Sequence, residues 1–74
     1  MPVYSELLKR ALASSHSGAA RQEIYSRARS ALVQRLREAH TLPREITRER
    51  LLLEESIRQI EAEAAERLRE DARR

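Results

Sequence analysis

The fold of this chain is decided by residues 46–74, which read ITRERLLLEESIRQIEAEAAERLREDARR. Apolar residues recur there at alternating spacings of three and four, a pattern typical of a helix that packs against another helix. The positions of this series are Ile46, Arg50, Leu53, Ile57, Ile60, Ala64 and Arg67, so two of them are polar. A helix with so narrow an apolar stripe needs a partner, in its own chain or in a second copy.

Three consecutive leucines, Leu51, Leu52 and Leu53, place a second constraint on this helix. Successive residues of a helix are turned by about 100°, so the three side chains cannot face one neighbour. We therefore expect the helix to be covered on two sides. A hairpin with the preceding helix covers one side, and the other side falls to the first helix or to a second molecule.

Two further helices precede it. A short one is predicted over residues 3–14, with Ser5 as its N-cap, and a longer one over residues 18–39, with Ser17 as its N-cap. Pro43 disfavours helical angles at the residue before it and so separates the second helix from the third. The third helix, predicted over about 44–72, begins either at Pro43 or at Thr47.

A start at Thr47 would place Ile46 and Leu51 at the two positions of a hydrophobic staple. Along the third helix, acid–base pairs at the favoured i,i+4 spacing are expected as Glu54–Arg58, Glu63–Arg67 and Glu70–Arg74.

The sequence predicts a single all-α domain over residues 1–74, in which the two long helices form an antiparallel hairpin. With sixteen Leu, Ile or Val residues and no Cys, the core is poor for a domain of 74 residues, and disulfides cannot supplement it. We therefore expect a homodimeric, four-helix-type bundle, with the short helices capping it or exchanged between subunits. Val33 and Leu52 are expected to reach the partner subunit. The predicted core and dimer-interface residues are Tyr4, Leu8, Ile24, Tyr25, Leu32, Val33, Leu36, Leu52, Leu53, Ile57 and Ile60.

Nothing in the sequence favours catalysis, a cofactor or a metal. His16 and His40 fall in predicted turns without spaced carboxylates. The carboxylate pairs Glu45/Glu49 and Glu54/Glu61 have helical spacing but lack the Glu-x-x-His motif of bundle-core metal sites, so surface ion pairing is expected for them. The longest aliphatic run has three residues and no signal-peptide pattern is present, so a cytoplasmic protein without membrane insertion is expected.

The basic residues leave an alternative function open. Fifteen basic residues face twelve acidic ones, and fourteen of the fifteen are Arg. The second helix carries a net charge of +3, which could contact phosphate, through Arg21, Arg27, Arg29, Arg35 and Arg37. No aromatic side chains are interleaved with them, and the third helix is net negative, which disfavours insertion into a nucleic-acid groove. A non-catalytic protein–protein interaction or scaffolding module is therefore preferred, with itself as the expected partner and another protein as a possible one.

Residues 24–37, IYSRARSALVQRLR, and residues 46–64, ITRERLLLEESIRQIEAEA, resemble a family of small helical modules from α-proteobacteria that has no assigned activity. The match continues in the first helix through Tyr4, Leu7, Leu8, Arg10, Ala11 and Leu12. Departures are a shorter loop at residues 41–44 and Ser56, where a small apolar residue is usual. The resemblance implies an all-helical fold without any chemistry. It also implies a shared interaction surface at Tyr25, Arg27, Arg29, Arg48, Glu49 and Arg50.

Overall fold

A computed structural model describes residues 3–13 and 17–73 of the chain. It contains three helices, α1 (Val3–Leu12), α2 (Gly18–Glu38) and α3 (Pro43–Ala72), and no strand within those residues. The all-α prediction is confirmed. Each helix contacts both of the others, so α3 is covered by α2 on one side and by α1 on another. His16 and the predicted last residue of α1, Ser14, lie outside the described residues.

α1 begins at Val3, as predicted. Ser5 therefore lies inside the helix, and the N-cap role predicted for it is wrong. Ser5 is buried with 9% of its surface exposed, and its hydroxyl has no hydrogen-bond partner in the described part of the chain.

The start of α2 follows the prediction. Ser17 has extended backbone angles, and its Oγ accepts a hydrogen bond from the amide of Ala20 at 3.1 Å. This is the geometry of a serine N-cap, which satisfies one of the free amides of the first turn.

The end of α2 uses a left-handed residue. His40 has φ 55°, the amide of His40 donates to the carbonyl of Arg37 at 3.0 Å, and the amide of Thr41 donates to the carbonyl of Leu36 at 2.9 Å. These two bonds form a Schellman motif, in which glycine is the usual residue at the left-handed position. A Cβ at this position costs roughly 1–2 kcal/mol.

The start of α3 is decided by Pro43. The helix begins there, with Leu42 as an N-cap that makes no side-chain hydrogen bond. Proline at the first helical position loses no hydrogen bond, because that amide has no partner within a helix. The alternative start at Thr47 is wrong, and so is the staple that depended on it. Thr47 is already helical, and its hydroxyl donates to the carbonyl of Pro43.

All three helices contribute to the core. Its buried apolar side chains are Leu8, Tyr25, Leu53, Ile57 and Ile60, with Tyr4, Leu12, Ala28 and Leu32 packed against them. The seam predicted from residues 46–74 thus faces the other helices of its own chain. Ile24 and Leu36, which were also expected in the core, are only half-buried. Their places at its centre are taken by the larger Tyr25 and by Leu8 of α1.

The molecule is elongated, because α3 is much longer than its neighbours. Its dimensions are 51 × 20 × 16 Å, and its radius of gyration of 14.1 Å exceeds the roughly 11 Å expected for a compact chain of this length. Residues 66–73, at the end of α3, are all exposed. Leu68 lies in this segment with 69% of its surface exposed. No helix of the described chain combines the length and the apolar character needed to cross a membrane.

We predict that His40→Gly stabilises the protein by about 1 kcal/mol, because glycine removes the steric cost of a left-handed φ while keeping both bonds of the motif. Urea unfolding should show a higher midpoint with an unchanged slope. His40→Ala is the matched control and should give no such gain, since alanine keeps the Cβ. Equal stabilisation by both substitutions would contradict the assignment of strain to His40.

Candidate functional site

Glutamates of α3 form a row of polar contacts with the other two helices. We call Glu49, Glu54, Glu61 and Glu63 the glutamate row. Glu54 and Glu61 bind side chains of α2, and Glu49 and Glu63 bind side chains of α1. Surface ion pairing was expected for Glu49, Glu54 and Glu61. Glu54 and Glu61 do form ion pairs, with arginines of α2, whereas Glu49 accepts a hydrogen bond from Tyr4 of α1. The apolar seam brings these polar positions against α1 and α2.

Glu61 is the most connected member of the row. Its Oε2 accepts hydrogen bonds from the hydroxyl of Tyr25 at 2.8 Å and from Nε of Arg21 at 2.9 Å. Its Oε1 lies 3.4 Å from Nε2 of Gln22. Tyr25 is fully buried, so its hydroxyl would be costly to leave without a partner. Glu61 supplies that partner, and Arg21 supplies the compensating charge.

A second arginine–glutamate pair lies further along the same two helices. Arg29 binds Glu54 with two parallel bonds, Nε to Oε2 at 2.6 Å and Nη2 to Oε1 at 2.9 Å. Such bidentate pairs are geometrically specific. Arg21 precedes Arg29 on α2, whereas its partner Glu61 follows Glu54 on α3. The two pairs therefore fix the register between α2 and α3.

Two contacts attach α1 to α3. The hydroxyl of Tyr4 donates to Oε2 of Glu49, and Nζ of Lys9 lies 3.6 Å from Oε2 of Glu63. Tyr4 is half-buried, whereas the side chains of Lys9 and Glu63 are 48% and 39% exposed. The tyrosine contact is therefore the stronger of the two, since exposed ion pairs contribute little.

These contacts shift the pKa values of the groups involved. Burial, followed by hydrogen bonding to the glutamate, raises the pKa of Tyr25 and of Tyr4 to about 12. The hydrogen bond from Arg21 lowers the pKa of Glu61, and that from Arg29 lowers the pKa of Glu54, against the opposing effect of burial. Both carboxylates therefore remain ionised well into the acid range.

The ion pairs predicted within α3 are not those observed. Glu54 binds Arg29 instead of Arg58, and Glu63 binds Lys9 instead of Arg67. The third predicted pair involves Arg74, which lies outside the described residues. The pairs that do form within one helix are Glu23–Arg27 at 2.7 Å and Glu66–Arg69 at 2.8 Å. Tertiary packing, rather than i,i+4 spacing, therefore selects the partners of Glu54 and Glu63.

Two apolar grooves lie between the helices. One, of about 950 Å³, runs between α2 and α3 and is lined by Val33, Leu51 and Leu53, with Arg37 and Arg50 among its polar residues. The other, of about 580 Å³, runs between α1 and α2 and is lined mainly by Tyr4, Leu7, Ile24, Ala28 and Leu32. Within residues 3–13 and 17–73, no cluster of three metal-ligating side chains occurs. The α1–α2 groove is lined almost wholly by apolar side chains, whereas most of the residues along the α2–α3 groove are polar or charged.

The residues expected at a dimer interface are not brought together on one surface. Val33 is half-buried and lies in the α2–α3 groove with Leu51. Leu52 is 42% exposed and does not line that groove. Because Leu51 and Leu52 are turned by about 100° from each other on α3, Leu52 does not share the groove that Val33 and Leu51 line.

The predicted shared interaction surface is also divided. Arg29 and Glu49 are occupied by contacts within the chain, and Arg27 pairs with Glu23. Arg48 and Arg50 are exposed. Of the arginines expected to form a phosphate-binding face on α2, Arg21, Arg27 and Arg29 pair with carboxylates, whereas Arg35 and Arg37 are exposed and form no ion pair within the described residues.

Sequence reasoning named the four glutamates and Ser56, but it missed that the glutamates join α3 to the other helices and that Ser56 is buried. Ser56 is 1% exposed, and its hydroxyl donates to the carbonyl of Leu52 at 3.2 Å. A signal for the row was present, since Arg21 and Arg29 lie eight residues apart on α2 and Glu54 and Glu61 seven apart on α3. Both spacings are about two helical turns, so each helix presents its two charges on one face.

No family model, curated protein or solved structure matches this chain. The resemblance to the α-proteobacterial helical modules therefore stays a prediction.

We predict that Glu61→Ala lowers the free energy of unfolding by about 1–3 kcal/mol, because it leaves the buried hydroxyl of Tyr25 and the Arg21 guanidinium without a partner. Glu23→Ala is the matched control, since Glu23 pairs only with the exposed Arg27, and it should change stability by less than about 0.5 kcal/mol. Urea unfolding measures both. Equal losses would show that Glu61 acts merely as a surface charge.

The raised pKa values of Tyr4 and Tyr25 predict that the folded protein loses stability at high pH. In the folded protein their pKa is about 12, against about 10 for a free tyrosine, so their contribution is complete below pH 10. It declines as the pH rises from 10 to 12, because the unfolded chain ionises first. Ultraviolet absorbance of tyrosinate should report both groups directly, as the chain has two Tyr and no Trp. Titration of either tyrosine near pH 10 in the folded protein would contradict the assigned contacts.

The lowered pKa values of Glu54 and Glu61 act at the other end of the pH scale. Their stabilisation is present above about pH 4.5, the ordinary value, and is lost as the pH falls through the lower folded values.

Proposed function

We propose that this protein is a non-catalytic homodimeric module for protein–protein interaction or scaffolding in the cytoplasm. In this proposal, α2 and α3 form an antiparallel hairpin, and two hairpins pack as a four-helix-type bundle with α1 as a cap on each. The partner is a second copy of the chain, and the dimer then presents its remaining surface to another protein.

The observation that carries the proposal is the exposed end of α3. Every residue from 66 to 73 is exposed, although the helix continues to Ala72. Helices without tertiary contacts are marginal in water, because most helical stability in proteins comes from packing of one face. A partner along this segment would supply the packing that α1 and α2 do not reach.

The size of the core supports the same proposal. Among the described residues only five apolar side chains are buried, while Leu7, Leu42, Leu51, Leu52 and Leu68 each remain more than 40% exposed. Domains of this size obtain about 3–5 kcal/mol at most from one core, and oligomerisation is a common supplement. These exposed leucines form the surface that such an association would bury.

The polar side chains support a structural rather than a catalytic role. The four members of the glutamate row bind arginine, lysine or tyrosine side chains of the neighbouring helices. A general acid or base needs a carboxylate that faces a substrate. These carboxylates face α1 and α2 and connect them to α3.

Sedimentation equilibrium over micromolar concentrations tests the proposal. The expected mass is twice the 8.6 kDa of the chain, with a thermal midpoint that rises with protein concentration, because association stabilises the folded state by mass action. A folded monomer of 8.6 kDa with a midpoint independent of concentration would overturn it.

A further inference from the structure

The α1–α2 groove is an apolar surface that the three helices leave open to solvent. Its walls include Tyr4, Leu7 and Ala11 of α1 and Ile24, Ala28 and Leu32 of α2. Leu53 of α3, only 3% exposed, lies at its floor. Leu7 is 53% exposed, and the three α2 residues are half-buried, so both walls keep apolar surface that a partner can cover.

The groove has the length of a short helix. Its lining on α2 extends from Ile24 to Arg35, a distance of roughly 16 Å along the helix axis. That distance corresponds to about three helical turns. Ala28 and Ala31 lie in the middle of this wall, and their short side chains leave room for another helix to approach.

A helix fits this groove better than an extended segment does. Both walls are helices, whose backbone amides and carbonyls are bonded within the helix and cannot pair with a strand. An extended segment would therefore lose water from its backbone groups without gaining hydrogen-bond partners, which is costly. A helix brings its own backbone hydrogen bonds and needs to bury only side chains.

The charges along the groove favour an acidic partner. Among the described residues that line it, Arg27 and Arg35 are charged and none is acidic. Arg35 forms no ion pair within the described chain. Arg27 pairs with Glu23 at 77% and 65% side-chain exposure, so that pair is worth little and can exchange. Two guanidiniums at the rim therefore remain open to carboxylates of a partner.

A second copy of this chain is a poor occupant of the groove. The exposed apolar residue at the end of α3 is Leu68, and Arg67 and Arg69 lie on either side of it. Docking of Leu68 would bring these guanidiniums towards Arg27 and Arg35, which like-charge repulsion disfavours.

We infer that the α1–α2 groove binds an amphipathic helix of another protein. The bound helix buries apolar side chains against Leu7, Ile24 and Leu32, and its acidic side chains pair with Arg27 and Arg35. The inference rests on the proposed role as a protein-interaction module, and it names the surface and the kind of partner. It does not depend on whether the module is a dimer.

Synthetic peptides test the groove directly. The probe is a fluorescein-labelled peptide of about 15 residues, close to the length at which an isolated helix becomes stable. It carries Leu at i, i+3, i+4 and i+7 and Glu beside that apolar face, and the matched peptide has Lys in place of each Glu. Fluorescence anisotropy should show saturable binding of the acidic peptide, about fivefold or more tighter than binding of the Lys peptide.

Charge variants separate binding in the groove from general attraction to a basic protein. R27Q/R35Q should weaken binding of the acidic peptide about fivefold or more, because both rim charges are lost. R37Q/R50Q removes the same charge from residues of the α2–α3 groove and is the matched control. It should change binding by less than about twofold near physiological salt, where exposed charges away from the site are largely screened.

A leucine pair tests the apolar wall in the same way. Leu7→Gln should weaken binding about fivefold or more, because it removes apolar surface from the groove. Leu42→Gln is the matched control, since Leu42 is 51% exposed and lines neither of the two grooves. Circular dichroism of each variant checks that it remains helical.

The outcomes separate this inference from the proposed homodimer, which sedimentation of the protein alone tests. A monomer that binds the acidic peptide through the groove overturns the homodimer only. Absence of binding, equal binding of the two peptides, or equal losses in a variant and its matched control overturns the groove inference. A Leu7→Gln variant that converts a wild-type dimer to monomer also overturns it, because the groove would then hold a second copy.

Discussion

The fold depends on the contact between Tyr25 and Glu61. Tyr25 lies at the centre of a small core with none of its surface exposed, so its hydroxyl must find a partner inside the protein. Glu61 accepts that hydrogen bond and remains charged because Arg21 binds the same carboxylate. One residue of α3 thus satisfies the buried phenol and pairs with the α2 arginine, which ties the burial of the aromatic ring to the alignment of the two long helices.

α3 is longer than the helices it packs against. Its buried stripe of Leu53, Ile57 and Ile60, together with the glutamate row, contacts α1 and α2. With 30 residues, α3 exceeds α2, which has 21 residues, and α1, which has 10. The excess length leaves residues 66–73 exposed.

Several features could be read from residue order because they depend on neighbours along the chain. The serine cap of α2, the break at Pro43 and the periodic stripe of Leu53, Ile57 and Ile60 are of this kind. Features that depend on distant residues could not be read in the same way. The expected bond between Glu54 and Arg58 gives way to Arg29, and the expected cap Ser5 becomes a buried helical residue. The left-handed conformation of His40 could not be predicted from its neighbours in the sequence, since glycine is the usual residue at such a position.

The sequence by itself determined that the chain is helical, where its helices are interrupted, and which stripe of α3 is apolar. These properties follow from periodicity, proline and capping, which act over a few residues. Only the tertiary structure decided that α1 covers the second side of α3, that Tyr25 rather than Ile24 occupies the centre, and that glutamates join the helices. The physical reason is that several arginines can reach each carboxylate on a helix surface and compete for it. The arginine that forms the bond is the one that tertiary packing holds close to the carboxylate and partly shields from water.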